Sequence, residues 1–230
     1  MLGTAAVLLP MLLVWYPRPL FEAAGTARLP CFVAVVTFLL GPLVAFVAAR
    51  RGRPHSRAQT RKIAIAQAVA IAGCALALYV QRPVYLVFTV DRFDLVLARD
   101  LSPLDLAKAG GEFARRPLGA PEYVAAVPPA DPREAQRILD IALDGGKDLQ
   151  AYPQHYVRYE SRARDALKHA KPLGTLGGRE AGPLNRYLEA SGRAPSSLRF
   201  LPLRARKRDG IVLLDADSGL PLQVLLVEPW

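Results

Sequence analysis

Three runs of almost uncharged residues, 1–15, 31–49 and 63–80, fill most of the first third of the chain, and nearly all charged side chains fall outside them. A hydrocarbon core needs about 20 apolar helical residues to cross it. The second and third runs come close to that length, and their flanks or a slightly thin bilayer supply the rest. Backbone in lipid must satisfy its own hydrogen bonds, so each run is expected to be a helix. The first run is short, has no Lys or Arg before it, and is followed only by a poor cleavage site at Ala23-Ala24-Gly25. It reads less as a signal peptide than as a membrane helix whose upstream end lies beyond a misplaced start. The expectation is a membrane protein: an α-helical transmembrane region of two to three helices over 1–82, then a soluble α+β domain over 83–230.

The net charge of +10 invites a nucleic-acid reading until it is located. Segment 50–62 holds six basic residues and no acidic one, whereas 83–230 carries 21 basic and 19 acidic side chains, a net +2. A nearly neutral outer domain removes the main support for nucleic-acid binding. Short Lys/Arg-rich loops stay in the cytoplasm. Loop 50–62 is therefore expected there, with 16–30 and everything after the third run on the far side. Trp15, Tyr16 and Tyr79 lie at helix ends, where interfacial rings are favoured. Cys31 and Cys74 fall at different depths of two runs, which fits small buried residues better than a bridge.

In the outer domain, Val84–Val90 is rich in β-branched and aromatic residues, and Phe93–Ala98 alternates back after Asp91-Arg92, so the pair predicts a hairpin. Ser102-Pro103-Leu104-Asp105 and Asp131-Pro132-Arg133-Glu134 each place a capping side chain before a proline and an acid, the start of a helix. Ala135, Ile138, Leu139, Ala142 and Leu143 define one apolar face of the second, which should end at Gly145-Gly146. Further helices are expected at 160–170 and 183–190. Phe200–Leu203, Ile211–Leu214 and Leu220–Val227 read as strands, the last two joined at Asp215–Gly219. Strands, then helices, then strands predict an antiparallel sheet with helices on one side. Pro117–Pro132 reads as the loosest stretch.

In this order, Trp15-Tyr16-Pro17-Arg18-Pro19-Leu20-Phe21, Leu40-Gly41-Pro42-Leu43, the basic loop, Arg82–Phe93, Tyr152–Glu160, Phe200–Leu203 and the closing Glu228-Pro229-Trp230 resemble the TfpX/TfpZ family of type IV pilin accessory proteins. The resemblance covers essentially the whole chain, and Arg82–Phe93 is its most specific block. It implies a non-enzymatic protein of the bacterial inner membrane, with its C-terminal domain in the periplasm and the major type IV pilin as partner. No cofactor is implied.

Candidate partner contacts are Trp15, Tyr16, Pro17, Phe21, Gly41, Pro42, Gly73, Arg82, Tyr85, Asp91, Arg92, Tyr156 and Tyr159. Gly73 belongs to a third run crowded with alanines, and small residues permit close helix packing in lipid, either within the chain or against a pilin helix. Arg204, Arg206, Lys207 and Arg208 form a basic run that is either a solvated turn or a contact for anionic headgroups of the lipid bilayer. His155, among Tyr152, Tyr156 and Tyr159, is either a partly buried polar residue or, with nearby carboxylates, the general base of a membrane-anchored hydrolase. Asp215-Ala216-Asp217 echoes a calcium loop but has Leu226 where a glutamate is needed, so it reads as a hairpin turn.

Overall fold

The computed structural model describes residues 10–25, 57–176 and 181–229. Residues 10–15 are helical, and after a turn α1 runs Leu20–Ala23. The long helix α2 spans Arg57–Gln81, so residues 57–62, expected in the basic loop, are helical. Among the described residues one stretch is long and apolar enough to cross a membrane, Ala64–Gln81, with a mean hydropathy of 1.7. The run at 31–49, with Gly41 and Pro42, and residues 50–56 lie outside the described residues, as do residues 1–9 of the first run.

One residue separates α2 from the sheet. The strands are β1 Pro83–Phe88, β2 Phe93–Leu97, β3 Glu122–Ala126, β4 Tyr156–Arg158, β5 Lys171–Pro172, β6 Leu198–Arg204, β7 Gly210–Asp215 and β8 Pro221–Leu225. They lie in the order β4-β3-β1-β2-β6-β7-β8, with β5 beside β6. Both expected hairpins are present, β1–β2 and β7–β8. The sheet is not antiparallel throughout, however. It is mixed: β1 pairs with β3, and β2 with β6, in parallel. After β2 the chain travels back through α3 (Pro103–Lys108) before laying β3 beside β1, and such a crossover makes a parallel pair. The stretch expected to be loosest therefore carries β3, an inner strand. The two halves of the sheet meet at only two residue pairs, Phe93↔Leu203 and Asp94↔Arg204.

Alternation along the strands sorts the core onto two faces. Leu86, Phe88, Phe93, Leu201, Leu203 and Val212 fill one face around Tyr159. The opposite face holds two clusters, Tyr85, Val87, Val96 and Tyr156 in one half, and Leu198, Phe200, Ile211 and Leu225 in the other. A register shift between Pro83 and Tyr85 lets Val84 and Tyr85 enter the same cluster. Helix α4 (Pro132–Leu143) starts on Asp131, which accepts from the Arg133 N–H; α3 starts on Ser102 in the same way, through Asp105. Of the apolar face of α4, Ile138 is buried, but Leu139 and Leu143 are exposed. The helices expected at 160–170 and 183–190 are a tight 3₁₀ turn (Tyr159–Arg162) running into α5 (Ala163–His169), and α6 (Ala181–Ser191).

Tyr159 ties the sheet together. Its ring packs 5.5 Å from Phe93 and 6.2 Å from Phe88, edge or tilted geometries that favour aromatic pairs. Its hydroxyl donates to Gly219 O at 2.7 Å. Gly219 has φ +72° and no room for a side chain, since a Cβ would sit 2.5 Å from Ala163 O. Arg158 of β4 and Pro221 of β8 line one pocket of about 370 Å³, so the two edges of the sheet curl towards each other over this cluster.

Candidate functional site

Some of the residues singled out by sequence, Trp15, Tyr16, Phe21, Arg82 and Tyr85, converge at the junction between α2 and the sheet. Tyr16, 3% exposed, donates its hydroxyl to Leu78 O at 2.9 Å, satisfying one of the carbonyls that end α2. Its ring meets Phe21 edge-on at 5.5 Å. Cys74, Leu78 and Leu97 close around it. Leu20 goes further and joins the core of the sheet. Residues 16–24 thus dock on the sheet domain through contacts far apart in sequence.

Arg82 has no exposed surface. Its guanidinium lies 4.1 Å from the Tyr79 ring and 5.5 Å from that of Trp15, within cation–π range of both. Nη1 donates to Tyr79 O at 2.7 Å and Nη2 to Pro117 O at 3.1 Å. Trp15 Nε1 donates to Leu118 O at 2.8 Å, and Tyr85 donates to Arg115 O at 3.4 Å. Arg116 reaches the other way, to Ala98 O and Leu101 O. Loop 115–118 is therefore fastened by side-chain donors to its carbonyls, including those of Pro117 and Leu118 at the start of the stretch expected to be loosest.

The basic run folds back onto the same junction. Lys207 N donates to Ala23 O at 3.0 Å, Arg208 lies 3.8 Å from Glu22, and Arg206 lies 3.3 Å from Asp100. The side chains of Arg204, Arg206, Lys207 and Arg208 are all exposed. Arg204 also faces a cleft of about 690 Å³ where the two half-sheets meet, with Asp94, Asp100, Lys147 and Arg206. Burial pushes the Asp94 carboxyl above the usual range, despite Arg92 and Arg204 nearby and the Thr89 hydroxyl at 3.3 Å.

Burial separates the partner-contact candidates. Tyr16, Arg82, Tyr85, Tyr156 and Tyr159 are interior; the four hydroxyls and both Nη groups of Arg82 bond to the chain itself, Arg82 Nε is buried without a hydrogen-bond partner, and another molecule cannot reach them in this conformation. Tyr156 packs edge-on against Tyr85 at 5.3 Å and donates to Gln150 O. Burial pushes the hydroxyls of Tyr85, Tyr156 and Tyr159 well up. Trp15, Pro17, Phe21 and Arg92 are half-buried, and Gly73 and Asp91 are exposed. Asp91 and Arg92 form the tip of the β1–β2 hairpin, where Arg92 Nε lies 3.4 Å from Asp94. A Cβ on Gly73 would meet nothing within 4 Å, and Ile65, Val69, Leu76 and Val80 on α2 are exposed with it. His155 Nε2 lies 3.5 Å from Glu134 and outside the large cleft. Asp215 ends β7 and holds the turn that follows: its carboxylate accepts from Asp217 N, Ser218 N and the Ser218 hydroxyl and pairs with Arg193 at 2.9 Å. These contacts hold it at about 2.

Two proteins of Dichelobacter nodosus are similar over nearly the whole chain. The fimbrial assembly protein of serogroup I is 26% identical over 233 residues, 96% of this chain and 89% of that protein. The fimbrial assembly protein of serogroup E1 is 24% identical over 221 residues, 92% of this chain and 84% of that protein. No family model matches the sequence. No solved structure matches it either.

Proposed function

We propose that this chain is an accessory factor of type IV fimbrial assembly, held in the bacterial inner membrane with its α+β domain in the periplasm, and that it works by binding the fimbrial subunit rather than by catalysis. The observation that carries this reading is the end-to-end similarity to two fimbrial assembly proteins, which spans the apolar N-terminal third and the sheet domain alike. The basic segment 50–62 supports the orientation, since such loops stay cytoplasmic.

The binding role draws on the exposed apolar flank of α2. Ile65, Val69, Leu76 and Val80 recur at helical spacing, and Gly73 leaves open space beside them. A subunit helix in lipid would pack there, where small residues allow close approach. The basic run 204–208 would rest on anionic headgroups. A binding role also suits His155, which among the described residues has one carboxylate within ion-pair range, Glu134 at 3.5 Å, where acid–base work calls for several partnered groups.

Deleting the gene and measuring surface fimbriae and subunit level tests the role. Loss of fimbriae, restored by the intact gene, is expected; unchanged fimbriation ends the proposal. A reporter fused after residue 230 tests the orientation, and activity confined to the cytosol would overturn it.

A further inference from the structure

Among the described residues, β8 has no strand beyond it. Two walls stand on either side of its outer edge. On one face α6 packs through Leu184 into the cluster containing Leu225. On the other, Leu20 of α1 packs into the cluster containing Val224. Between them lies a slot of about 320 Å³ whose floor is Gln223–Leu226. Val224 O accepts the Gln223 side-chain amide at 3.4 Å, and Leu226 O accepts an Arg208 N–H at 3.5 Å. Both contacts are long, and an arriving main-chain N–H makes a shorter one.

The walls carry a net positive charge, three arginines (Arg18, Arg186 and Arg208) against one carboxylate, Glu22. Arg18 stands on one and Arg186 on the other. Both are exposed, and neither has an ion-pair partner among the described residues. Arg208 lies at the slot as well, but Glu22 is 3.8 Å from it. A strand edge supplies main-chain bonding along a line, and free guanidinium groups above it select carboxylates.

We propose that this slot receives an extended, carboxylate-bearing segment of a partner protein, added beside β8 as a further strand. The inference deepens the binding role argued above and rests on it for the partner's biological identity. Pairing β8 with a second copy would set the arginines of both chains against each other, which like-charge repulsion opposes. A lipid headgroup would use the guanidinium groups but not the strand edge.

The test uses the full chain in phosphatidylcholine nanodiscs and labelled peptides of about ten residues, alternating Glu with Val, or Lys with Val. The acidic peptide is expected to bind at least about tenfold more tightly than the basic one. Methylating its alternate backbone nitrogens should weaken binding by a similar factor, since it removes the strand hydrogen bonds and keeps the charge. Reversing both walls, Arg18→Glu with Arg186→Glu, should invert the preference towards the basic peptide. Equal binding of the two peptides, indifference to backbone methylation, or a preference unmoved by the double reversal overturns the proposal. So does binding of phosphatidylglycerol vesicles that requires Arg18 and Arg186 and excludes the acidic peptide. Self-association lost on the same reversal overturns it too. Failure here beside lost fimbriae in the deletion strain removes the slot and leaves the role; peptide binding beside normal fimbriation does the reverse.

Discussion

The two edges of the sheet are built on opposite plans. β4 is three residues long, with 3₁₀ turns at Pro153–His155 and Tyr159–Arg162 on either side. Its last residue, Arg158, reaches Glu112 with two hydrogen bonds at 2.8 and 2.9 Å. Shortness and a charge at the margin are standard ways to close a sheet against further pairing. β8 is five residues long and flanked by a slot floored by Gln223–Leu226, on whose walls Arg18 and Arg186 have no ion-pair partner among the described residues. Among the described residues the two margins therefore differ in kind: one is short and carries an ion pair, the other is longer and open to further pairing.

Tyr159 is where the contrast can be broken most completely, because it follows β4 directly and bonds to the turn before β8. Tyr159→Ala removes a fully buried ring and should cost about 4 kcal/mol, lowering the melting temperature by roughly 10 °C. Hydrogen exchange should rise at both edges; an increase confined to one would separate them. Gly219→Val adds a β-branched side chain at φ +72° against Ala163 O. A cost of about 3 kcal/mol is expected, with faster exchange in 215–225 and little change in β4.

Tyr159→Phe keeps the ring and deletes only the donor to Gly219 O, about 1 kcal/mol, and should loosen the β7–β8 turn alone. Acid sharpens the same distinction. Asp215 in the folded chain titrates at about 2, below the usual carboxylate value near 3.9. Its contribution is therefore fully present above about pH 4 and is lost as pH falls towards 2. Exchange at 215–221, corrected for intrinsic rates, should accelerate over that window, and Asp215→Asn should abolish the dependence. The smallest effect belongs to Glu112→Gln at the other margin. That pair is exposed, so the melting curve should hardly move. A large drop would show that β4 depends on its salt bridge after all.

What the sequence disclosed follows from how local each signal is. Val84–Ala98 announces its hairpin because β-branched and aromatic residues flank a short turn, and Ser102 and Asp131 announce their helices through capping contacts within three residues. β3 was hidden because Glu-Tyr-Val-Ala-Ala has a single β-branched residue and sits among prolines; its place beside β1 is set by the crossover. Tyr156–Arg158 reads as part of an aromatic turn because three residues cannot show alternation. The sequence offers Tyr16, Phe21 and Arg82 as places for a partner, yet Tyr16 and Arg82 have internal partners 62 and 35 residues away. No spacing rule could have named those carbonyls. The slot at β8 was likewise out of reach, since its walls come from residues 18–22, 183–186 and 208.

The junction at Arg82 leaves no slack. Helix α2 ends at Gln81 and β1 begins at Pro83, and the single residue between them is clamped by two rings and two main-chain oxygens from separate parts of the chain. No loop lies between α2 and β1 in which a tilt or roll of the helix could be absorbed, so such a movement would bear directly on the first strand of the sheet.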